Sequence, residues 1–154
     1  MPNEYTLYGA PMSLYTGKAR AYLIFKKLPY NEVFSSLKVY KSIIVPNTGV
    51  RFVPVLKTPK DEYLQDTAMI IDTLEQRHPE RSITPQSAKQ KLVSYLFETW
   101  ADEWLVIPAM HYRWNKANFP FIYEEFGKVI VPNMPRFIRA FLGKKIGAKF
   151  KGFV

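Results

Sequence analysis

Apolar residues follow two different spacings in this chain, and the change from one to the other near residue 80 limits the folds open to it. Before that point, short β-rich runs alternate with helical spacings. Tyr5–Tyr8 predicts a strand, residues 15–27 a helix that stops before Pro29, and Tyr30–Ser35 a second strand. Lys38–Val45 is a weakly helical or irregular stretch. A strand–helix–strand unit of this kind normally forms a parallel pair with a right-handed crossover.

The segment up to residue 79 predicts two more strands and one further helix. Val53–Lys57 is the third strand, and Tyr63–Leu64 is a brief fourth. The clearest helix of the chain follows, because Asp66 or Thr67 can cap its start and Pro79 lies just beyond its end. The residues on one face of this helix are Thr67, Ile70, Ile71, Leu74 and His78.

Residues 80–87 are polar and predict a linker between a first domain, 1–79, and a second domain, 88–154. Beyond the linker, every apolar stripe has helical spacing. A long helix is expected to kink or end at Pro108, which removes a backbone donor, and Phe119–Phe126 starts another helix. The long helix carries the stripe Val93, Leu96, Phe97, Trp100, Trp104 and Ile107, and the last, basic helix carries Phe137, Ile138, Phe141, Leu142 and Ile146.

The chain contains no cysteine, and this excludes several kinds of chemistry. Disulfides, thiolate nucleophiles, CxxC redox motifs and cysteine zinc sites are all impossible. His78 and His111 are too few for a histidine-rich metal site, and no metal is expected. If the protein handles a thiol, that thiol must arrive on a ligand.

The net charge of +9 is concentrated at the end of the chain. Residues 128–154 hold seven basic side chains and no acidic one, which could attract an anionic ligand, a nucleic acid or a membrane surface. A solvated helix face is the simpler interpretation, and no nucleic-acid motif supports a specific binder. We expect the apolar face of the last helix to be covered by a second copy or left mobile, with an anionic membrane as the alternative.

Neither a membrane span nor a leader sequence is predicted. The chain has no apolar run long enough to cross a bilayer. Residues 1–4 show no basic segment followed by an apolar one, so no signal peptide is visible. We therefore expect a cytoplasmic protein.

Four local features together resemble the glutathione transferase superfamily. They are Ala10–Ser13 running into Lys18–Arg20, the pair Val53-Pro54, Gln65–Thr67 opening a helix that ends at Leu74–Pro79, and Glu98–Asp102. The match covers residues 4 to about 115, and the order and spacing are more specific than any single piece. The resemblance implies an α/β thioredoxin-like (βαβ–ββα) N-terminal domain followed by an all-α C-terminal domain.

Members of this family continue through several more helices, whereas this chain stops at Val154. The resemblance therefore implies a truncated helical domain with an incomplete pocket for the second substrate. It also implies a homodimer that binds glutathione as co-substrate and activates its thiol for attack on a small electrophile. The alternative is a non-catalytic, transferase-like module for protein interaction. A third hypothesis is that the chain is a basic nucleic-acid-binding protein.

Ser13 matches the catalytic position of the serine and cysteine members of this family. Its hydroxyl would donate a hydrogen bond to the glutathione sulfur and favour the thiolate, which is the nucleophilic form. The plainer interpretation is that Ser13 only caps the first helix. Tyr15 and Tyr8 are rivals, because tyrosine hydroxyls do the same work in other branches of the family.

The remaining site residues also come from the resemblance. Family members hold the bond matching Val53–Pro54 in the cis form, which turns the backbone before the proline toward the cysteinyl part of glutathione. Without the resemblance, an ordinary trans proline at a strand edge is the simpler interpretation. Asp66 and Thr67 match the pair that binds the γ-glutamyl ammonium and carboxylate, although a plain helix cap would look the same. Basic residues flank the expected edge of the cleft, where one is a candidate for the glycyl carboxylate: Lys38, Lys41 and Arg51.

Overall fold

The computed structural model describes residues 4–148. It divides into two compact units, with the boundary between Ser82 and Ile83, and each unit is described here by itself. The first unit contains, in chain order, β1 (Tyr5–Gly9), α1 (Leu14–Lys26), β2 (Tyr30–Phe34), α2 (Leu37–Val39), a π-helical turn (Tyr40–Ile44), α3 (Val45–Thr48), β3 (Val55–Lys57), β4 (Tyr63–Gln65) and α4 (Thr67–Arg77). The predicted βαβ–ββα order is confirmed.

The four strands form one mixed sheet in the order β2-β1-β3-β4. β1 and β2 are parallel, as expected for a strand–helix–strand unit, and Tyr5 pairs with Tyr30. β3 runs antiparallel to β1 with Leu7 opposite Leu56, and β4 runs antiparallel to β3. The sheet therefore has the thioredoxin-like topology that the sequence predicted.

Apolar side chains pack on both faces of this sheet. Because successive strand residues point to opposite faces, Leu7 lies in one cluster and Tyr8 in the other. The larger cluster joins β1 and β3 to α1 and α4, and its fully buried members are Leu7, Ala19, Leu23, Leu56, Ile70 and Leu74. The smaller cluster contains Tyr8, Ile44 and Val55, and side chains of the helical stretch of residues 37–48 pack against it.

Two local details of the first unit differ from the sequence prediction. The third strand begins at Val55 rather than at Val53, because Pro54 has no N–H with which to extend the ladder. The stretch Lys38–Val45, which was ambiguous in sequence, is helical throughout. Ser36 starts this stretch by accepting a hydrogen bond from the Val39 N–H at 3.3 Å.

A buried polar network joins the end of α1 to the segment after α4. The Lys26 side chain is 0% exposed and its Nζ lies 3.0 Å from Glu75 Oε1. Lys26 also donates to the carbonyls of His78 and Glu80. Tyr22 donates to Glu75 at 2.7 Å. These bonds satisfy a charge that α1 would otherwise bury without a partner.

The second unit is helical in its described part, as predicted. It contains α5 (Ala88–Glu103), α6 (Val106–Arg113), a short 3-10 turn (Lys116–Asn118), α7 (Phe119–Ile130) and α8 (Arg136–Gly147). The helix break precedes Pro108, which corrects the prediction. Pro108 lies in the first turn of α6, where a missing N–H loses no intrahelical bond, so a proline is tolerated there. Within residues 83–148, no helix is both long and apolar enough to cross a membrane.

Glycines allow α7 and α8 to pack very closely. A Cβ on Gly143 would lie 1.9 Å from the Tyr123 carbonyl oxygen, and one on Gly127 would lie 2.2 Å from that of Arg139. The apolar face predicted for α8 is therefore divided, which corrects the expectation that all of it needs an external cover. Its members Ile138, Leu142 and Ile146 are half-buried, whereas Phe137 and Phe141 are exposed.

Candidate functional site

The predicted site residues of the first unit meet at one edge of the sheet. β1 ends at Gly9 and is parallel to β2, while β3 is antiparallel to β1, so the end of β1 lies beside the start of β3. β4 is antiparallel to β3, so its end also lies at this edge. The register therefore brings together the turn that holds Ser13, the pair Val53-Pro54 and the pair Asp66-Thr67.

The turn between β1 and α1 is closed by short-range hydrogen bonds. The Ser13 N–H donates to the Ala10 carbonyl at 3.0 Å, and the Gly17 N–H donates to the Ser13 carbonyl at 3.0 Å. The Ala10 N–H donates to Thr16 Oγ1 at 3.3 Å. These hydrogen bonds give the turn a defined shape.

Ser13 caps α1, as its plainer interpretation proposed. Its Oγ accepts a hydrogen bond from the Thr16 N–H at 3.2 Å, and its side chain is half-buried. A hydroxyl that accepts one bond still carries a hydrogen that it can donate. Capping therefore leaves Ser13 able to donate to a ligand at the positive end of α1.

The rival tyrosines lie in different surroundings. Tyr8 is buried in β1 and stacks on Tyr63 with ring centroids 6.5 Å apart. Burial raises the pKa of Tyr8, and the neighbouring Tyr63 phenol raises it further. Tyr8 is therefore a packed core side chain, whereas Tyr15 lies half-buried in the first turn of α1.

The Val53–Pro54 peptide bond is cis, as the resemblance implies. Val53 is half-buried and packs against the smaller core cluster, and Pro54 is buried. Both precede β3 at the sheet edge described above. Val55 is paired with Tyr8 in the ladder between β3 and β1, so the Val53 backbone, two residues earlier, lies on the side of the end of β1.

Asp66 adopts an unusual backbone conformation at the start of α4. Its φ is 81° and its ψ is 138°, a region that residues with a side chain rarely occupy. Its exposed carboxylate accepts a hydrogen bond from the Ala68 N–H at 2.8 Å. Strain of about 1–3 kcal/mol at such a position is a recurrent property of ligand sites.

Thr67 follows Asp66 as the first residue of α4 and is 4% exposed. The helix N-terminus presents backbone N–H groups and a positive dipole end, which favour an anionic group. A carboxylate and the start of a helix therefore lie next to each other, so one position can attract an ammonium and the next a carboxylate.

The three basic candidates for the glycyl carboxylate are all exposed. Lys41 is exposed in the π-helical turn, and Arg51 is exposed in the loop before β3. Lys38 is exposed in the middle of α2. Arg20, the arginine of the first motif, donates twice to Glu32 on β2 at 2.6 and 2.7 Å. Its guanidinium therefore holds α1 to the sheet.

Thr16 and Ser35 are two residues at this edge that the sequence reasoning missed. The Ser35 N–H donates to the Gly9 carbonyl at 2.9 Å, and the Ser35 side chain is buried. Burial raises the pKa of Tyr40, while a hydrogen bond with Ser35 acts in the opposite direction. A small polar residue at the end of the predicted strand Tyr30–Ser35 was the available signal for Ser35.

The aromatic residues of the second unit do not form one kind of site. Trp114 is buried and packs against Phe126, with ring centroids 5.6 Å apart. His111 is exposed and meets Tyr112 edge to face at 5.6 Å. Across residues 4–148, no three histidine, aspartate or glutamate side chains form a group that could hold a metal ion.

Comparison with known proteins gives one family match. Residues 7–82 match the model of the glutathione S-transferase N-terminal domain. No curated protein sequence matched the chain.

Solved structures with the same fold include a glutathione S-transferase from Rhodospirillum rubrum F11, which is 19% identical with a TM-score of 0.62. That alignment covers 94% of this chain and 62% of the other. A Tau class enzyme from mango, Mangifera indica, is 18% identical with a TM-score of 0.62, covering 97% and 79%.

A third structure, from Methylobacterium radiotolerans, is a glutathione S-transferase in complex with glutathione sulfonate. It is 20% identical with a TM-score of 0.61, and the alignment covers 95% of this chain and 64% of that one. The chain thus spans less than two thirds of the length of the first and third structures. At these identities the likeness establishes the fold.

Proposed function

We propose that the chain binds glutathione and activates the thiol for attack on an electrophile, because residues 7–82 match the glutathione S-transferase N-terminal domain model and the chain has the glutathione transferase fold. The supporting observation is that three segments, each suited to one part of glutathione, meet at one sheet edge. Glutathione is the co-substrate in this proposal, and the cytoplasmic location expected from the sequence remains part of it.

Ser13 is the proposed catalytic residue. A hydrogen bond to a charged group contributes about 1.5–3 kcal/mol, and a helix N-terminus adds roughly 0.3–1 kcal/mol. Together they can lower the pKa of the bound thiol by about 2 units, since one unit is worth about 1.4 kcal/mol. The thiol proton passes to solvent, and the thiolate sulfur then forms the new carbon–sulfur bond while the leaving group of the electrophile departs with the electron pair of its bond to that carbon.

The rest of the ligand is assigned by charge. The Asp66 carboxylate holds the γ-glutamyl ammonium, while Thr67 and the start of α4 hold the γ-glutamyl carboxylate. The Val53 backbone pairs with the cysteinyl residue. Lys41 or Arg51 meets the glycyl carboxylate.

The decisive experiment follows the thiolate absorbance of bound glutathione against pH, after calorimetry has established binding. We expect Ser13→Ala to raise the bound thiol's pKa by about 1–2 units and to leave affinity within a few fold. Ser87→Ala is the matched control, because Ser87 caps α5 through an acceptor bond of the same 3.2 Å length. A shift with Tyr15→Phe and none with Ser13→Ala would assign the role to Tyr15.

A second experiment tests how the γ-glutamyl group is held. Asp66→Asn keeps an oxygen that can cap α4 but removes the negative charge. We expect the affinity for glutathione to fall about tenfold, which corresponds to roughly 1.4 kcal/mol. Asp72→Asn is the control, since Asp72 is an exposed acid farther along the same helix. Equal affinities for both variants would contradict the assignment of Asp66, and no binding at millimolar glutathione would contradict the whole proposal.

The alternative is a non-catalytic interaction module. An exposed apolar surface on α5 and α6 supports both this alternative and a homodimer. The helices α5 and α6 contain no fully buried residue. Large apolar side chains of these helices, and Trp104 between them, are exposed instead, including Leu92, Leu96, Phe97, Trp100 and Ile107. Turnover of a general electrophile separates the enzyme from the module, and ultracentrifugation of Phe97→Asp beside the wild type tests self-association.

A further inference from the structure

We propose that Thr16 is a positioning residue that sets the direction in which the Ser13 hydroxyl donates. This inference rests on the proposed function, in which Ser13 meets the glutathione sulfur. Thr16 need not touch the ligand in this arrangement. It acts through the turn between β1 and α1.

Thr16 lies in the first turn of α1, where solvent does not reach it. Its side chain is 0% exposed, although threonine is a polar residue. A Cβ on Gly9 would lie 2.3 Å from Thr16 Cγ2 and 2.6 Å from Thr16 Oγ1. Thr16 therefore fills the space left by the missing side chain of Gly9, and this contact fixes α1 against the end of β1.

Thr16 is hydrogen-bonded to both ends of the turn between β1 and α1. Its Oγ1 accepts from the Ala10 N–H at 3.3 Å, and its own N–H donates to Ser13 Oγ at 3.2 Å. The Ser13 N–H in turn donates to the Ala10 carbonyl at 3.0 Å. Moving Ala10 relative to α1 would therefore also move Ser13.

These bonds limit what the Ser13 hydroxyl can do. An oxygen that accepts from the helix side has its remaining hydrogen and lone pair directed elsewhere. The accepted bond also holds the side chain in one χ1 rotamer. Because a hydrogen bond weakens steeply as its angle departs from linear, the direction of the Ser13 hydroxyl decides how well it stabilises a thiolate.

Three variants separate the hydroxyl of Thr16 from its methyl group. Thr16→Val keeps the shape but cannot accept from Ala10, and Thr16→Ser keeps the acceptor but loses the methyl group. Thr16→Ala loses both. If Thr16→Val does not fold, the comparison of Ser with Ala still isolates the hydroxyl.

The first measurement needs no ligand. Three-bond NMR couplings report the χ1 rotamer of Ser13 in the free protein. We expect one rotamer in the wild type and in Thr16→Ser, and averaging in Thr16→Val and Thr16→Ala. A single Ser13 rotamer in all four proteins would overturn the proposal, and this arm decides it even if the wild type fails to bind glutathione and the proposed function falls.

The second measurement is the pKa of the bound glutathione thiol. We expect Thr16→Val to raise that pKa by roughly 0.5–1 unit and Thr16→Ser to leave it near the wild-type value. In a Ser13→Ala background, Thr16→Val should have no further effect, because the group it positions is gone. A shift that persists in that background, or no shift where Ser13→Ala gives one, would refute the positioning role.

Discussion

Replacing Lys26 by methionine should destabilise the first unit severely. Methionine retains most of the apolar stem, so the substitution removes mainly the ammonium group. Glu75 loses a partner at 3.0 Å, and its side chain is only 11% exposed. The carbonyls of His78 and Glu80 lose their donor as well. Breaking one side of a buried pair costs about 3–5 kcal/mol, because the other charge stays buried.

The control and the rescue follow from the same structure. Lys57→Met also removes one lysine from an ion pair, but its partner Asp61 is 80% exposed, so we expect a cost of at most about 1 kcal/mol. Adding Glu75→Gln to Lys26→Met removes the stranded charge while keeping an acceptor for Tyr22. The double variant should therefore recover part of the lost stability.

The assay must report the first unit specifically. All three tryptophans, Trp100, Trp104 and Trp114, lie in the second unit, so their fluorescence is unsuitable. Native-state hydrogen exchange of the Leu7 and Leu56 amides, which lie in the fully buried part of the sheet, gives the opening free energy directly. The reasoning is refuted if Lys26→Met lowers that free energy no more than Lys57→Met does.

Two other perturbations have defined outcomes. Burial alone would raise the pKa of Glu75, but hydrogen bonds from Ser82, Tyr22 and Lys26 outweigh it and hold the pKa at about 2, against an ordinary value of 4.5. Because the pKa of Glu75 is lowered in the folded protein, this stabilisation is present above about pH 5 and is lost as the pH falls toward 2. Hydrogen exchange should show that the opening free energy of the first unit falls in acid, and that this fall is smaller in Glu75→Gln. Gly143→Ala should cost about 1–3 kcal/mol in the second unit, because the added Cβ meets the Tyr123 carbonyl, and urea titration of tryptophan fluorescence measures this loss. Gly17→Ala is the contrast, since nothing lies within 4 Å of the added atom and alanine favours a helix by up to about 1 kcal/mol; unchanged stability in both variants would contradict the contact argument.

The elements that the sequence predicted well are those with local signals. Pro29 and Pro79 mark the ends of α1 and α4, a β-rich run marks β1, and alternation marks β2. Pro108 misled the prediction, because a proline in the first turn of a helix and one in its interior look the same in sequence. The close packing of α7 and α8 could not be foreseen, since a glycine's neighbour across a helix pair is a property of the fold.

In the candidate site, too, some features could be predicted from the sequence and others depend on the folded structure. Ser13, Asp66 and the cis Val53–Pro54 bond came from the family resemblance, and the sheet register brings their segments to one edge. The positive φ of Asp66 has no local signal, because aspartate is a common helix cap in ordinary backbone conformations as well. Thr16 escaped notice since only the packed structure reveals that its side chain fills the space beside Gly9.

The polar network at the end of α1 also decides where the first unit can be cut. Lys26 binds the Glu80 carbonyl at 2.8 Å, and Glu75 accepts a hydrogen bond from the Ser82 hydroxyl. A recombinant fragment that stopped at Pro79 would discard both of these partners and leave a buried ammonium short of an acceptor. A fragment that continues through Ser82 keeps both of these bonds and is the version to express when the first unit is studied alone.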